Sequence, residues 1–264
     1  MIRSFYKNII FGASVFCLLW LGLACNNPPK QQQQPENNVS ISENEPPSVV
    51  EIEEEFVVEV EEEKSPVVRL LDSLGFVDIQ KMEPSILVDL KYATTDNFME
   101  KAVYADLHQA YLHPDAAAKL VKAQQILQEQ HPEYSLLVYD AARPLHIQRL
   151  LWEAVEGTPL SRYVANPETT GLHNYGMAVD VTIADTLQMP LDMGTPFDYF
   201  GSKAGITQEE VLLAAGQLTQ QQINNRRILR NAMRQAGFYA IEGEWWHFNA
   251  CSLGEAKVKY LLIN

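Results

Sequence analysis

A glutamate-rich stretch decides where this chain can fold. Residues 26–65 hold eleven Glu and two Lys, a net charge of −9, together with the run Gln31-Gln32-Gln33-Gln34 and scattered Asn and Pro. Such a segment cannot bury enough apolar surface to offset the entropy lost on ordering it, and its like charges extend it further. It reads as a disordered acidic tether. Most of the chain's net charge of −14 therefore lies outside any core. A short N-terminal segment precedes the tether, and about 200 residues follow it, enough for a core that needs no staple.

Residues 1–25 carry the marks of an export signal. Arg3 and Lys7 give a positive start, and 9–24 is a 16-residue run without a charge. That run is short for a spanning helix, which needs about 20 apolar residues, and it suits the apolar region of a signal segment. It closes on Leu21-Gly22-Leu23-Ala24-Cys25. Small residues ahead of Cys25 resemble the lipobox of bacterial lipoproteins, in which the signal is cut before the cysteine and the cysteine is lipidated. Gly22 stands where that pattern usually has a large aliphatic residue. The expectation is an exported lipoprotein, anchored to the membrane through Cys25 and facing the periplasm or cell envelope. Cys251 is then the one cysteine of the folded part, so no disulfide can form within it despite the oxidising compartment. Cys251 reads as a small buried hydrophobe. No basic stripe is present, so nucleic acid is not an expected partner, and nothing in the sequence calls for a protein partner.

Residues 66–264 mix two periodicities. Apolar residues at helical spacing predict helices over 66–74, 114–130, 146–156, 208–216 and 222–236. Gly75 and Gly237 stop two of them. Short apolar runs rich in β-branched and aromatic residues predict strands over 87–90, 135–139, 177–183 and 245–249. There is no regular strand–helix–strand rhythm. The expectation is a single α+β domain, a mainly antiparallel central sheet flanked by helices.

Three groups of residues carry chemistry. The first is His173-Asn174-Tyr175-Gly176-Met177-Ala178-Val179-Asp180. Imidazole and carboxylate are ordinary zinc ligands, but seven residues apart on a straight strand they face opposite ways. His173 must lie in a loop folded back over the strand that bears Asp180, with Gly176 permitting the tight return. Taken alone, the pair also fits a loop histidine and a strand-edge aspartate. The second group is Glu244-Trp245-Trp246-His247-Phe248. An aromatic run does not ordinarily bury a glutamate and a histidine, because unpaired burial costs several kcal/mol. A metal removes that objection: His173, Asp180 and His247 make three protein ligands with a fourth position left for water, and Glu244 is the natural general base beside them. A bend is required between Glu244 and His247. The third group is Arg143-Pro144 at the end of a predicted strand. Pro144 holds Arg143 extended, where it can donate to an oxyanion, although an arginine before a proline is often only a surface or ion-paired residue.

These groups, in this order, resemble the D-alanyl-D-alanine dipeptidase family of zinc peptidases, which is related to the D,D-carboxypeptidases of the cell wall. The resemblance runs from Val88 to Phe248. It includes Asp89-Leu90-Lys91-Tyr92-Ala93-Thr94-Thr95-Asp96-Asn97-Phe98, Ala142-Arg143-Pro144, the block from His173 to Asp180, Met193-Gly194-Thr195-Pro196-Phe197-Asp198, Asn225-Arg226-Arg227, Gly237-Phe238 and Glu244-Trp245-Trp246-His247. It implies one zinc ion per chain on His173, Asp180 and His247, with Glu244 as base and Arg143 stabilising the transition state. It also implies Asp198 holding the substrate's free amino group, Tyr92 lining the site, and a small peptide as substrate. Asp198 on its own also fits a helix N-cap. Members of that family usually carry serines just before the first zinc histidine; here the places hold Gly171 and Leu172, which puts a strict preference for alanyl dipeptides in question. Two other readings compete. A D,D-carboxypeptidase or endopeptidase trimming peptidoglycan stems would need no amine anchor, so Asp198 speaks against it. A non-catalytic, zinc-stabilised wall-binding module would need no base, so Glu244 speaks against that.

Overall fold

The computed structural model describes residues 64–264; the segment 1–25 with Cys25, and tether residues 26–63, lie outside the described residues. In chain order the elements are α1 (Pro66–Ser73), β1 (Val77–Asp78), α2 (Ile79–Met82), β2 (Leu87–Val88), β3 (Tyr111–Leu112), α3 (Pro114–Gln130) and β4 (Ser135–Asp140). Then come α4 (Leu145–Glu153), β5 (Ala178–Ala184), α5 (Glu209–Ala214), α6 (Gln220–Gln235), β6 (Tyr239–Ala240), β7 (His247–Asn249) and α7 (Leu253–Lys259). Local chemistry sets several of these boundaries. The Ser65 hydroxyl accepts the Val68 N–H, and Pro66 opens α1 where a missing N–H costs nothing. Thr219 and Gln222 form a reciprocal capping box, which starts α6 two residues earlier than its apolar periodicity does.

The main sheet has the order β2-β4-β5-β7-β6. Only the β2–β4 pair is parallel; β4–β5, β5–β7 and β6–β7 are antiparallel. A separate two-stranded ribbon joins β1 to β3. The helices α3 and α6 pack against each other, α3 against β4 and α6 against β5 and β6. Leu120, Leu127, Leu229 and Met233 are their buried apolar contribution. Nearly all the buried apolar residues join one core, with a small satellite of Leu212, Leu218 and Ile223. This is the expected α+β domain with a mainly antiparallel sheet. Among the described residues no helix is long and apolar enough to cross a membrane.

Two expected strands shorten. The segment 87–90 keeps only Leu87–Val88, and 245–249 keeps only His247–Asn249, because Trp245 and Trp246 lie in a bend. That bend separates Glu244 from His247, as their spacing required. The β4–β5 ladder carries one irregularity. Val138 faces Val181, yet Asp140 faces Asp180, so Tyr139 is an extra residue on β4. Such a bulge re-aims the side chains beyond it. It sets Asp140, Asp180 and His247 in one row across three strands, since Asp180 faces His247 on the other side.

Candidate metal centre

His173 reaches this row through a tight turn. The 3-10 helix Leu172–Tyr175 ends at Gly176, whose φ is +60°. A β-carbon there would collide with the Phe76 ring and with the His113 backbone nitrogen, so glycine is required for both conformation and space. The turn lays His173 back over β5, as its spacing from Asp180 required, and the Arg143 N–H holds it through the His173 carbonyl at 2.9 Å.

Each imidazole is then pinned by its outer nitrogen. His173 Nδ1 lies 2.7 Å from the Ala141 carbonyl and donates to it. His247 Nε2 lies 2.8 Å from Asn249 Oδ1. The inner nitrogens, His173 Nε2 and His247 Nδ1, stand 3.3 Å apart. They lie 3.5 and 2.9 Å from the two oxygens of Asp180. With both outer nitrogens protonated, two lone pairs and a carboxylate face one another, an arrangement that a cation resolves. One ligand atom from each of His173, Asp180 and His247 lies within 4.8 Å of the others. Imidazole, imidazole and carboxylate form an ordinary donor set for zinc, and orientation of each histidine by a second hydrogen bond is the usual accompaniment. The residues present therefore fit a metal ion.

Without a metal ion, the electrostatics favour a proton on His247, in the place that an ion would take. Burial works to raise the Asp180 carboxyl, but the two imidazoles outweigh it and hold the group well below the usual carboxylate range. Burial opposes a charge on His247, yet Asp180 and Glu244 lift it to about 9. Burial pushes the Glu244 carboxyl up to about 7, with Asp180 adding to the rise while His247 and Arg143 oppose it. Asp198 goes up to about 8 through burial and the charge of Asp180, against the hydrogen bond from Tyr92. Glu244 and Asp198, whose ionisation is unfavourable beside the charged Asp180, are groups that a bound cation would relieve.

Arg143 is buried beside the row. It donates from Nε to Asp140 Oδ2 at 3.0 Å and from Nη1 to Gln148 Oε1 at 2.8 Å, and it is ion-paired with Asp140 through Nη2. Its guanidinium lies over the Tyr92 ring at 5.2 Å. Five guanidinium donors less the three spent leave two for another acceptor. Tyr92 Oη donates to Asp198 Oδ2 at 3.0 Å. Asp198 has a φ of +56°, a left-handed conformation that aspartate tolerates better than most residues. Tyr92, Arg143, Asp198 and Glu244 all line one cleft of about 400 Å³ with the His173, Asp180 and His247 set.

The structure thus brings together every site residue named from the sequence, apart from Cys25. It also adds three. Asp140 is fully buried and accepts from Tyr104 Oη and from the Ala141 N–H. Gln148 and Asn249 orient Arg143 and His247. The signal for Asp140 was its place, a carboxylate closing an apolar strand three residues ahead of Arg143.

The buried acids make a stability prediction. The folded Asp198 keeps its proton up to about pH 8, whereas an unfolded aspartate releases it near pH 4. Between those values the unfolded chain holds fewer protons, so metal-free protein loses stability as the pH rises through this window. Asp198→Asn cannot ionise and still accepts from Tyr92. Its melting temperature relative to wild type, followed by calorimetry on metal-free protein, should climb from about pH 4 and level off above about pH 8. A difference that does not change with pH would refute the buried, protonated Asp198.

A family model described as D-ala-D-ala dipeptidase, of peptidase family M15, matches residues 72–260. The D-alanyl-D-alanine dipeptidase of Escherichia coli strain K12 is 34% identical over 177 residues, covering 67% of this chain and 85% of that protein. The D-alanyl-D-alanine dipeptidase of Enterococcus faecium is 28% identical over 193 residues, covering 66% of this chain and 91% of that protein. A solved structure of the LdcB LD-carboxypeptidase overlays with a TM-score of 0.33 and 17% identity, across 56% of this chain and 63% of that one, too loosely to carry weight. The family match takes in the whole cleft, from Tyr92 to His247, and on that ground the chain belongs to the D-ala-D-ala dipeptidase family of peptidases and is an enzyme.

Proposed function

We propose that this chain is a zinc metallopeptidase that hydrolyses D-alanyl-D-alanine or a similar short D-amino-acid dipeptide. His173, Asp180 and His247 would hold one zinc ion per chain. The observation that carries this reading is the pinning of both imidazoles by their outer nitrogens, with the inner nitrogens turned toward Asp180. Zinc, when bound, supplies a Lewis acid that polarises a carbonyl and lowers the pKa of water toward about 7.

The residues of the chain do the rest. Glu244, half-buried on the cleft wall, takes the proton from the attacking water. A carboxyl near 7 is well matched to that task, because efficiency is greatest when the pKa lies near the operating pH. The two unspent donors of Arg143 meet the oxyanion as it forms, held in place beforehand by Asp140 and Gln148. Asp198 accepts the substrate's ammonium, with Tyr92 fixing the carboxylate from the other side. An arriving ammonium favours the ionised form of Asp198 and so takes over its proton's role. Glu244 then passes its proton to the leaving amine.

The test is substrate choice. A free dipeptide should be hydrolysed about 10²-fold faster in kcat/KM than its N-acetylated form, the scale of leaving one buried charge unpaired. Equal rates on the two would move the chain to the trimming of peptidoglycan stems. Residues 1–25 support export and lipidation at Cys25 as part of the same proposal. Fatty-acid labelling that survives Cys25→Ser would remove that part.

A further inference from the structure

The cleft contains two guanidinium groups, and they are committed very differently. Arg143 is buried and spends its donors on Asp140 and Gln148. Arg162 stands exposed on the 3-10 turn Pro159–Tyr163 at the rim. Its Nη2 donates to Tyr163 Oη at 3.1 Å, and its guanidinium lies over the Tyr163 ring at 4.9 Å. Among the described residues it has no carboxylate partner. Four of its five donors are therefore unspent.

This arginine is also held in place. The Thr158 hydroxyl accepts the Leu160 N–H at 3.1 Å and donates to the Val155 carbonyl at 2.7 Å, which fixes the start of the turn. Tyr163 stacks on Phe200 with ring centroids 5.1 Å apart and planes 14° from parallel. Phe200 follows Asp198 by two residues. The arginine platform is thus tied to the loop that carries the amine anchor.

A free dipeptide is a zwitterion. Asp198 would take its ammonium, and part of the cleft lining is apolar, with Phe98, Leu172 and Phe200 in it. A carboxylate entering such a cleft without a partner loses hydration for no return. A planar guanidinium with free donors is the group that matches it, and one laid flat on an aromatic ring loses little freedom on binding. We propose that Arg162 is a specificity-determining residue that binds a carboxylate of the substrate, so that the cleft reads both charged ends of a short free peptide. This inference rests on the peptidase reading of the same cleft. Because Arg162 is exposed, solvent screens the pair and the effect is set at about fivefold.

The test uses the zinc-loaded full chain and a phosphinate analogue of D-alanyl-D-alanine, made with a free carboxylate and as its carboxamide. Calorimetric titration should show wild type binding the acid about fivefold more tightly than the amide. Arg162→Gln should weaken binding of the acid alone and erase the difference, and Arg162→Lys should restore part of it. In turnover the same variant should raise KM for the free dipeptide and leave kcat unchanged. Equal binding of acid and amide by wild type, equal weakening of both by Arg162→Gln, or binding of neither would overturn the proposal. If no peptide is hydrolysed but Arg162 still distinguishes the analogues, the peptidase reading fails and the carboxylate site stands.

Discussion

Glu244→Gln should lower kcat for D-alanyl-D-alanine by about 10³-fold, within the range a general base supplies, and should leave the metal content unchanged. Glutamine keeps the size and hydrogen-bonding reach of the side chain but cannot hold the proton of the attacking water. Metal content should survive because the three converging ligand atoms come from His173, Asp180 and His247, with Glu244 outside the set. The bend at Trp245 and Trp246 is what holds these roles apart: it turns Glu244 to the cleft wall while His247 enters the sheet opposite Asp180. Steady-state kinetics alongside elemental analysis of the same sample decides the matter. Full turnover would remove Glu244 from the chemistry. Lost metal would make it a ligand.

Asp140→Ala should destabilise the fold by about 3–5 kcal/mol, the cost of leaving a buried charge without its partner. Asp140 has no exposed surface, and Arg143 is 8% exposed. Removal of the carboxylate strands the guanidinium, the Tyr104 hydroxyl and the Ala141 N–H together. The cavity left behind adds to the loss. Asp140→Asn keeps one acceptor oxygen and should fall well short of that figure. Urea unfolding of the three proteins gives the comparison, and a change below about 1 kcal/mol for Asp140→Ala would mean that water replaces the carboxylate. Catalysis should fall too, since Arg143 then loses the group that aims it.

How far the site could be read from the sequence depends on which residues are local to one another. His173 and Asp180 announced themselves because seven residues of separation are impossible on a straight strand, and Gly176 supplied the return; the structure has that turn. Glu244 and His247 were legible because charged groups inside an aromatic run demand a reason. Asp140 was not, although it lies three residues from Arg143. Its role depends on the bulge at Tyr139, and a bulge is set by cross-strand pairing rather than by the residues of one strand. Asn249 was missed similarly, because its contact with His247 spans two residues of a strand and depends on both side chains leaning toward one face. In the fold, α3 was readable to its ends, since seventeen residues give the apolar spacing room to repeat. The two-residue strands β1, β3 and β6 have no period to detect, and tertiary pairing alone makes them strands. In α7, seven residues long, only Ala256 is buried, too small a stripe to stand out.

If one metal ion on His173, Asp180 and His247 makes this chain a dipeptidase, activity and metal must come and go together. The deciding quantity is the rate of D-alanyl-D-alanine hydrolysis by the full chain before chelation, after chelation, and after return of one equivalent of zinc. Chelation should abolish the rate, and zinc should restore it. An undiminished rate in protein shown by elemental analysis to be free of metal would rule out a metal-dependent dipeptidase.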